Sequence, residues 1–163
     1  MIPAAKPIVG DAEREAVDAV LASGGLAQGP QVAAFEQEFS EVVGGAKCVA
    51  VNSGTSAIHM ALLALGVDAG DEVVVPSFTF AATANAVALA GATPVFADID
   101  ERTFNIDPAH VASLVTDRTK VIMPVHLYGQ PADMTALSAL AGGRGLLILE
   151  DAAQAHAATW EGR

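Results

Sequence analysis

Apolar positions along the chain follow two periods, and the change from one to the other divides it. Between Asp11 and Ala22 the apolar residues Ala16, Val17, Val20 and Leu21 share one face and acids the other. That spacing predicts a surface helix ending at Gly24-Gly25. Pro30 suits the first turn of a second helix, in which Val32, Phe35, Phe39 and Val42 keep a helical spacing up to Gly44-Gly45. Beyond this point short β-rich runs alternate with longer helical ones. The runs are Cys48 to Val51, Val73 to Val75, Pro94 to Ala97, Val121 to Val125 and Leu146 to Leu149. Helices are predicted between them at Thr55 to Leu65, Thr79 to Ala90, Pro108 to Leu114 and Asp133 to Ala141, each opened by a capping residue or a proline. Five strands joined by helical crossovers imply right-handed βαβ units and an α/β fold, a mostly parallel sheet with helices on both faces.

A length of 163 residues with 52% hydrophobic content predicts a single compact unit with a sizeable core. Neither an internal repeat nor a low-complexity linker marks a boundary. A net charge of -11 with only eight Lys and Arg provides no basic surface for a phosphate backbone, so neither nucleic acid nor an anionic membrane is expected as a partner. One cysteine, Cys48, has no intrachain disulfide partner and points to a reducing compartment. The N-terminus has Pro3 and Pro7 where a signal peptide has its apolar stretch, and no segment reaches the roughly 18 apolar residues of a spanning helix. A soluble, cytoplasmic protein is the expectation.

Parallel α/β sheets bind ligands beyond the C-terminal ends of their strands, which directs attention to three places. The first is Asn52-Ser53-Gly54-Thr55-Ser56, where a helix begins. Its unpaired N–H groups, positive dipole end and hydroxyls suit a phosphate, while simple capping by Ser53 or Thr55 explains the same residues. The second is Glu150-Asp151, delivered by the last apolar run, with Gln154 a turn later. An acid emerging there needs a cation or several donors; a protonated pyridine nitrogen would serve, and so would a backbone to cap. The third is Pro76-Ser77-Phe78-Thr79-Phe80, where one aromatic could stack on a planar ring and the other fill the core. The four histidines, His59, His110, His126 and His156, have no metal-ligand spacing and take structural roles by default, although His126 stands at a strand end. No nucleophile elbow is present, and the cluster Gly142-Gly143-Arg144-Gly145 precedes a strand instead of following one, the wrong side for a pyrophosphate.

These segments, with Gly70-Asp71-Glu72-Val73, Pro124-Val125-His126-Leu127-Tyr128-Gly129 and Glu150-Asp151-Ala152-Ala153-Gln154-Ala155-His156, resemble the DegT/DnrJ/StrS-type sugar aminotransferases from about Ile8 to Gly162. The resemblance implies a fold-type-I large domain with pyridoxal 5'-phosphate as cofactor. Gly54, Thr55 and Ser56 would hold its phosphate, Phe80 would stack on the ring, Asp151 would partner the pyridine nitrogen and Gln154 would contact the ring hydroxyl. Phe78 is then packing, and Gly29, in the loop Gly24 to Pro30, would lie near the sugar. The implied reaction moves an amine from glutamate or glutamine to a keto-deoxysugar carried on a nucleotide, in a homodimer. The family's Schiff-base lysine follows the Asp-x-x-Gln segment in a Ser-Phe-x-x-x-Lys type motif, and none occurs before Arg163. Lys6, Lys47 and Lys120 lie away from the inferred cleft. Residues 1–163 are therefore expected to be the N-terminal part of the large domain, without the lysine segment or the small C-terminal domain, and inactive alone. A sugar dehydratase of the same family, with histidine in place of the lysine, is one alternative; a non-catalytic module binding a phosphate-containing metabolite is another.

Overall fold

The computed structural model describes residues 6–162. They fall into two compact units, divided between Ala50 and Val51, a boundary that no Pro-, Ser- or charge-rich linker marks in the sequence.

The first unit holds helices α1 (Asp11–Ser23) and α2 (Pro30–Val42), within a residue of the expected bounds. Glu13 accepts a 2.6 Å hydrogen bond from the Gly10 backbone, which holds its carboxyl below the usual range. Gly24, at φ 71°, ends α1 in the left-handed conformation that a side chain resists. In α2 the Phe35 and Phe39 rings lie 5.6 Å apart, one turn from each other.

The second unit is a four-stranded sheet of order β2-β1-β3-β4, every pair parallel. Its strands are β1 (Glu72–Pro76), β2 (Thr93–Ala97), β3 (Thr119–Ile122) and β4 (Leu147–Ile148). Its helices are α3 (Gly54–Ala64), α4 (Ala82–Leu89), α5 (Pro108–Leu114) and α6 (Met134–Arg144). Alternation along β1 distributes the core. Val73 and Val75 pack with Leu62 of α3, Ala86 and Val87 of α4, and Val121 and Met123. On the opposite face Val74 and Ile122 pack with Val111 of α5 and Leu137 and Ala141 of α6. Both faces of the sheet are covered, as a parallel sheet requires.

Three expectations need correction. Cys48 to Val51 is not a strand: no ladder pairing reaches it among the described residues, and Val49 is exposed. An apolar run has β preference, but a strand exists only where another backbone hydrogen-bonds to it. Helix α4 begins at Ala82, three residues late, because the Thr79 hydroxyl lies 2.9 Å from that of Thr83 and caps no backbone N–H. The expected run to Val125 stops as a ladder at Ile122: Pro124 has no N–H to donate, and Val125 keeps only an isolated bridge to Asp151.

At the N-terminal end of the sheet, Glu72 pairs with Thr119 and Val73 with Val121, so Lys120 is the extra residue of a bulge. Its ammonium donates to the Gly66 carbonyl and to Asp71 at 3.0 Å. Beside it the buried Glu72 carboxylate accepts from Thr116 at 2.6 Å and from the Arg118 guanidinium through Nε and Nη2. The Thr116 hydroxyl first, and then Arg118, hold the Glu72 carboxyl below its ordinary range.

Candidate cofactor site

At the opposite end of the sheet a cavity of about 340 Å³ opens among the strand ends. Its walls include Ser53, Gly54 and Thr55 from the start of α3, Phe80 from the loop before α4, and Asp151 and Gln154 from the segment after β4. Gly54, Thr55, Phe80, Asp151 and Gln154, five of the six cofactor contacts expected from the sequence, therefore face one space. Ser56, the sixth, stands one residue deeper in the helix and does not line it.

Each wall has a local cause. Ser53 caps α3: its hydroxyl accepts from the Ser56 N–H at 3.1 Å, and its carbonyl accepts the first helical bond from Ala57. The N–H groups of Gly54 and Thr55 are left without an acceptor among the described residues, the ordinary condition of a helix start. The Ser53 hydroxyl donates to Ser56 Oγ at 3.0 Å, so the Ser56 proton is available. A side chain built on Gly54 would meet nothing of this chain within 4 Å, so the space before it is open to an anion.

Asp151 is set by backbone. Its N–H donates to the Pro124 carbonyl at 2.9 Å and its carbonyl accepts from the His126 N–H at 3.0 Å. One carboxylate oxygen, Oδ1, accepts from the Ala153 N–H at 3.1 Å, and no cation pairs with the carboxylate among the described residues. A carboxylate without a counter-ion, beside Val125, Leu127 and Ile58, suits a cationic ligand. Gln154 accepts at Oε1 from the Tyr128 N–H at 2.9 Å, which leaves its NH₂ as the group to donate. Phe80 is 77% exposed, an aromatic held out of the core at the cavity wall; Phe78, expected as packing, is also exposed, and its ring lies 6.0 Å from that of Phe104, itself exposed.

Chemically, the cavity offers donors for an anion at one wall and an acid for a cation at another, with an aromatic surface close by. A planar cationic ring carrying a phosphate satisfies all three. A family model for the DegT/DnrJ/EryC1/StrS aminotransferase family matches residues 7–163. The chain belongs to this family.

The DegT-family chain is 49% identical over 162 residues to the spore coat polysaccharide biosynthesis protein SpsC of Bacillus subtilis, a match covering 99% of this chain and 42% of SpsC. With the UDP-2-acetamido-2-deoxy-3-oxo-D-glucuronate aminotransferase of Pseudomonas aeruginosa it shares 45% identity over 147 residues, 90% of this chain and 41% of that protein. The solved structure of ntda from Bacillus subtilis, with bound cofactor PMP, superposes with a TM-score of 0.88 at 38% identity and covers 94% of this chain and 36% of that one. The chain thus spans about two fifths of the length of the relatives it matches. Aminotransferases of this family depend on pyridoxal phosphate, in agreement with the cofactor implied by the resemblance.

The remaining expected residues lie elsewhere. Gly29 lines a separate cavity of about 320 Å³ within the first unit, with Ala19, Val20 and Pro30. Lys120 is held at the N-terminal end of the sheet. His110 accepts from the Asp98 N–H at 2.7 Å. His126 is buried: Nδ1 accepts from the Ala132 N–H at 3.1 Å, so the remaining ring proton is on Nε2 and is donated to Glu150 at 2.8 Å. That hydrogen bond holds the Glu150 carboxyl below its usual range. Among the described residues no helix is long and apolar enough to cross a membrane.

Sequence reasoning missed Thr79, Thr83 and Asn105. Thr83 is buried and reaches the cavity wall from a position inside helix α4. Asn105 is buried as well, and its contacts come from residues 22 to 26 positions away, which no local pattern announces.

Proposed function

We propose that this chain supplies the cofactor-binding face of a pyridoxal-phosphate-dependent enzyme that transfers an amine from glutamate or glutamine to a keto-deoxysugar carried on a nucleotide. The observation that carries the proposal is the shared cavity: the start of α3 and Asp151, about a hundred residues apart in the chain, are walls of one space. In this reading the backbone N–H groups of Gly54 and Thr55 bind the phosphate. Asp151 keeps the ring nitrogen protonated, Gln154 donates its NH₂ to the ring oxygen, and Phe80 covers one ring face. When bound, pyridoxal phosphate supplies the electron sink for chemistry at a substrate carbon. The Gly29 cavity takes part of the sugar substrate.

The lysine that would carry the cofactor covalently is proposed to lie outside these 163 residues, with the small C-terminal domain. Support comes from the placement of Lys120, which is tied to Asp71 at the end of the sheet away from the cavity. A homodimer in the cytoplasm completes the proposal. The exposed apolar side chains Val17, Leu21, Phe35 and Val42 on α1 and α2 favour an association.

Pyridoxamine 5'-phosphate, which needs no lysine, is the probe. It is expected to bind the chain, and Asp151→Ala is expected to weaken binding at least about tenfold, the scale of one lost charge-assisted contact. Equal affinity of wild type and Asp151→Ala would overturn the site. Enzyme-like turnover of a keto-sugar with glutamate by the 163-residue chain alone would overturn the placement of the lysine.

A further inference from the structure

We propose that Asn105, which does not line the cofactor cavity, is a positioning residue that acts on Gln154 through the backbone of residues 127–131. Gln154 presents its NH₂ to the cavity only because its oxygen is held by the Tyr128 N–H at 2.9 Å. With the amide turned over, NH₂ would face N–H, two donors without an acceptor. The orientation of Gln154 thus depends on where the Tyr128 peptide stands.

That peptide belongs to a strained turn. Tyr128 has φ 54° and ψ 26°, the left-handed region that a bulky residue avoids, and Gly129 follows at φ 91°. The Tyr128 side chain is 77% exposed, so packing of the ring does not stabilise the conformation. Asn105 does. It is 3% exposed, and its Oδ1 accepts from the Leu127 N–H at 3.1 Å. Its two Nδ2 hydrogens reach the carbonyls of Gln130 at 3.0 Å and Pro131 at 3.1 Å. Every hydrogen-bonding position of the amide hydrogens, and the oxygen, is taken by backbone on the two sides of Tyr128-Gly129. The base of the clamp is fixed too: Asp100 N–H donates to the Asn105 carbonyl at 2.9 Å, and Ile99 bridges Ile106. A residue that clasps a strained turn from both sides selects one backbone state of that turn, and the turn selects one amide orientation.

Asn105→Ser, which keeps a hydroxyl but cannot span the turn, and Gln154→Leu test this singly and together. The inference rests on the cavity being the pyridoxal phosphate site, so two readouts are used. In the ligand-free chain, exchange of the Tyr128 amide hydrogen followed by NMR is expected to speed up in Gln154→Leu and in Asn105→Ser. With pyridoxamine 5'-phosphate as probe, Asn105→Ser is expected to weaken binding roughly fivefold, about one net hydrogen bond, and to cause no further loss once Gln154 is Leu. Unchanged Tyr128 exchange in Asn105→Ser would overturn the inference, as would the same fivefold loss in both backgrounds, which would mark Asn105 as general support of the fold. If the amide responds as expected while the probe fails to bind even the wild-type chain, the cofactor reading fails and the clamp stands. Should Asn105→Ser unfold, Asn105→Asp decides in the same way, since it keeps the acceptor for Leu127 and loses both donors.

Discussion

Glu72→Gln is predicted to lower stability at neutral pH and to do nothing in acid. The carboxylate is buried at the start of β1, where it accepts from Thr116 at 2.6 Å and from two nitrogens of Arg118. Glutamine is isosteric and keeps one acceptor oxygen, but its NH₂ opposes either the guanidinium or the threonine hydroxyl. Hydrogen bonds to a charged group contribute about 1.5–3 kcal/mol each, and Arg118 is 69% exposed, so part of its share is screened by solvent. A net loss of about 2 kcal/mol follows for the variant at pH 7, or roughly 4–8 °C in Tm for a domain of this size. The sign with pH is set by the lowered carboxyl: the folded state holds the Glu72 proton less tightly than the unfolded chain does. Its stabilisation is complete above the unfolded value and is lost as pH falls through the lower folded one. Thermal unfolding of wild type and variant across pH 3 to 7 should therefore give melting points that converge in acid. A constant offset at every pH, or none at pH 7, would refute the assignment of the stabilisation to the charged form.

Leu62→Ala should cost about 2–5 kcal/mol, because Leu62 is fully buried where α3 meets Val73, Val75 and Val87; urea unfolding reads it, and a loss below about 1 kcal/mol would mean the site collapses. Ser53→Ala removes the cap of α3 and should cost about 1 kcal/mol. If the start of α3 is the phosphate wall, the same change should also weaken pyridoxamine 5'-phosphate, whereas pyridoxamine without phosphate should not respond. Phe80→Ala, at a 77% exposed position, should leave the melting temperature within about 1 °C and weaken pyridoxamine 5'-phosphate; a large fall in Tm would place the ring in the core instead.

Much of this protein is legible in its sequence because the governing interactions are local or periodic. Pro30 and Pro108 open helices at the positions expected, and Gly24 closes one, since φ restriction and glycine's freedom act within a residue or two. Alternating βα units dictated a parallel sheet covered on both faces, because consecutive parallel strands need a crossover and their apolar runs need burial on each side. Where pairing or side-chain competition decided, local pattern failed. Cys48 to Val51 had β preference and no strand to pair with among the described residues, and the Thr79 hydroxyl pairs with that of Thr83 instead of starting a helix. The site divides along the same line. Gly54, Asp151 and Gln154 were visible because each stands where a helix begins or a strand ends. That they face one cavity, that Gln154 offers its NH₂, and that Asn105 clasps the turn behind it were decided by strand order and by hydrogen bonds spanning more than 20 residues. Only the folded chain brings such partners within reach of one another.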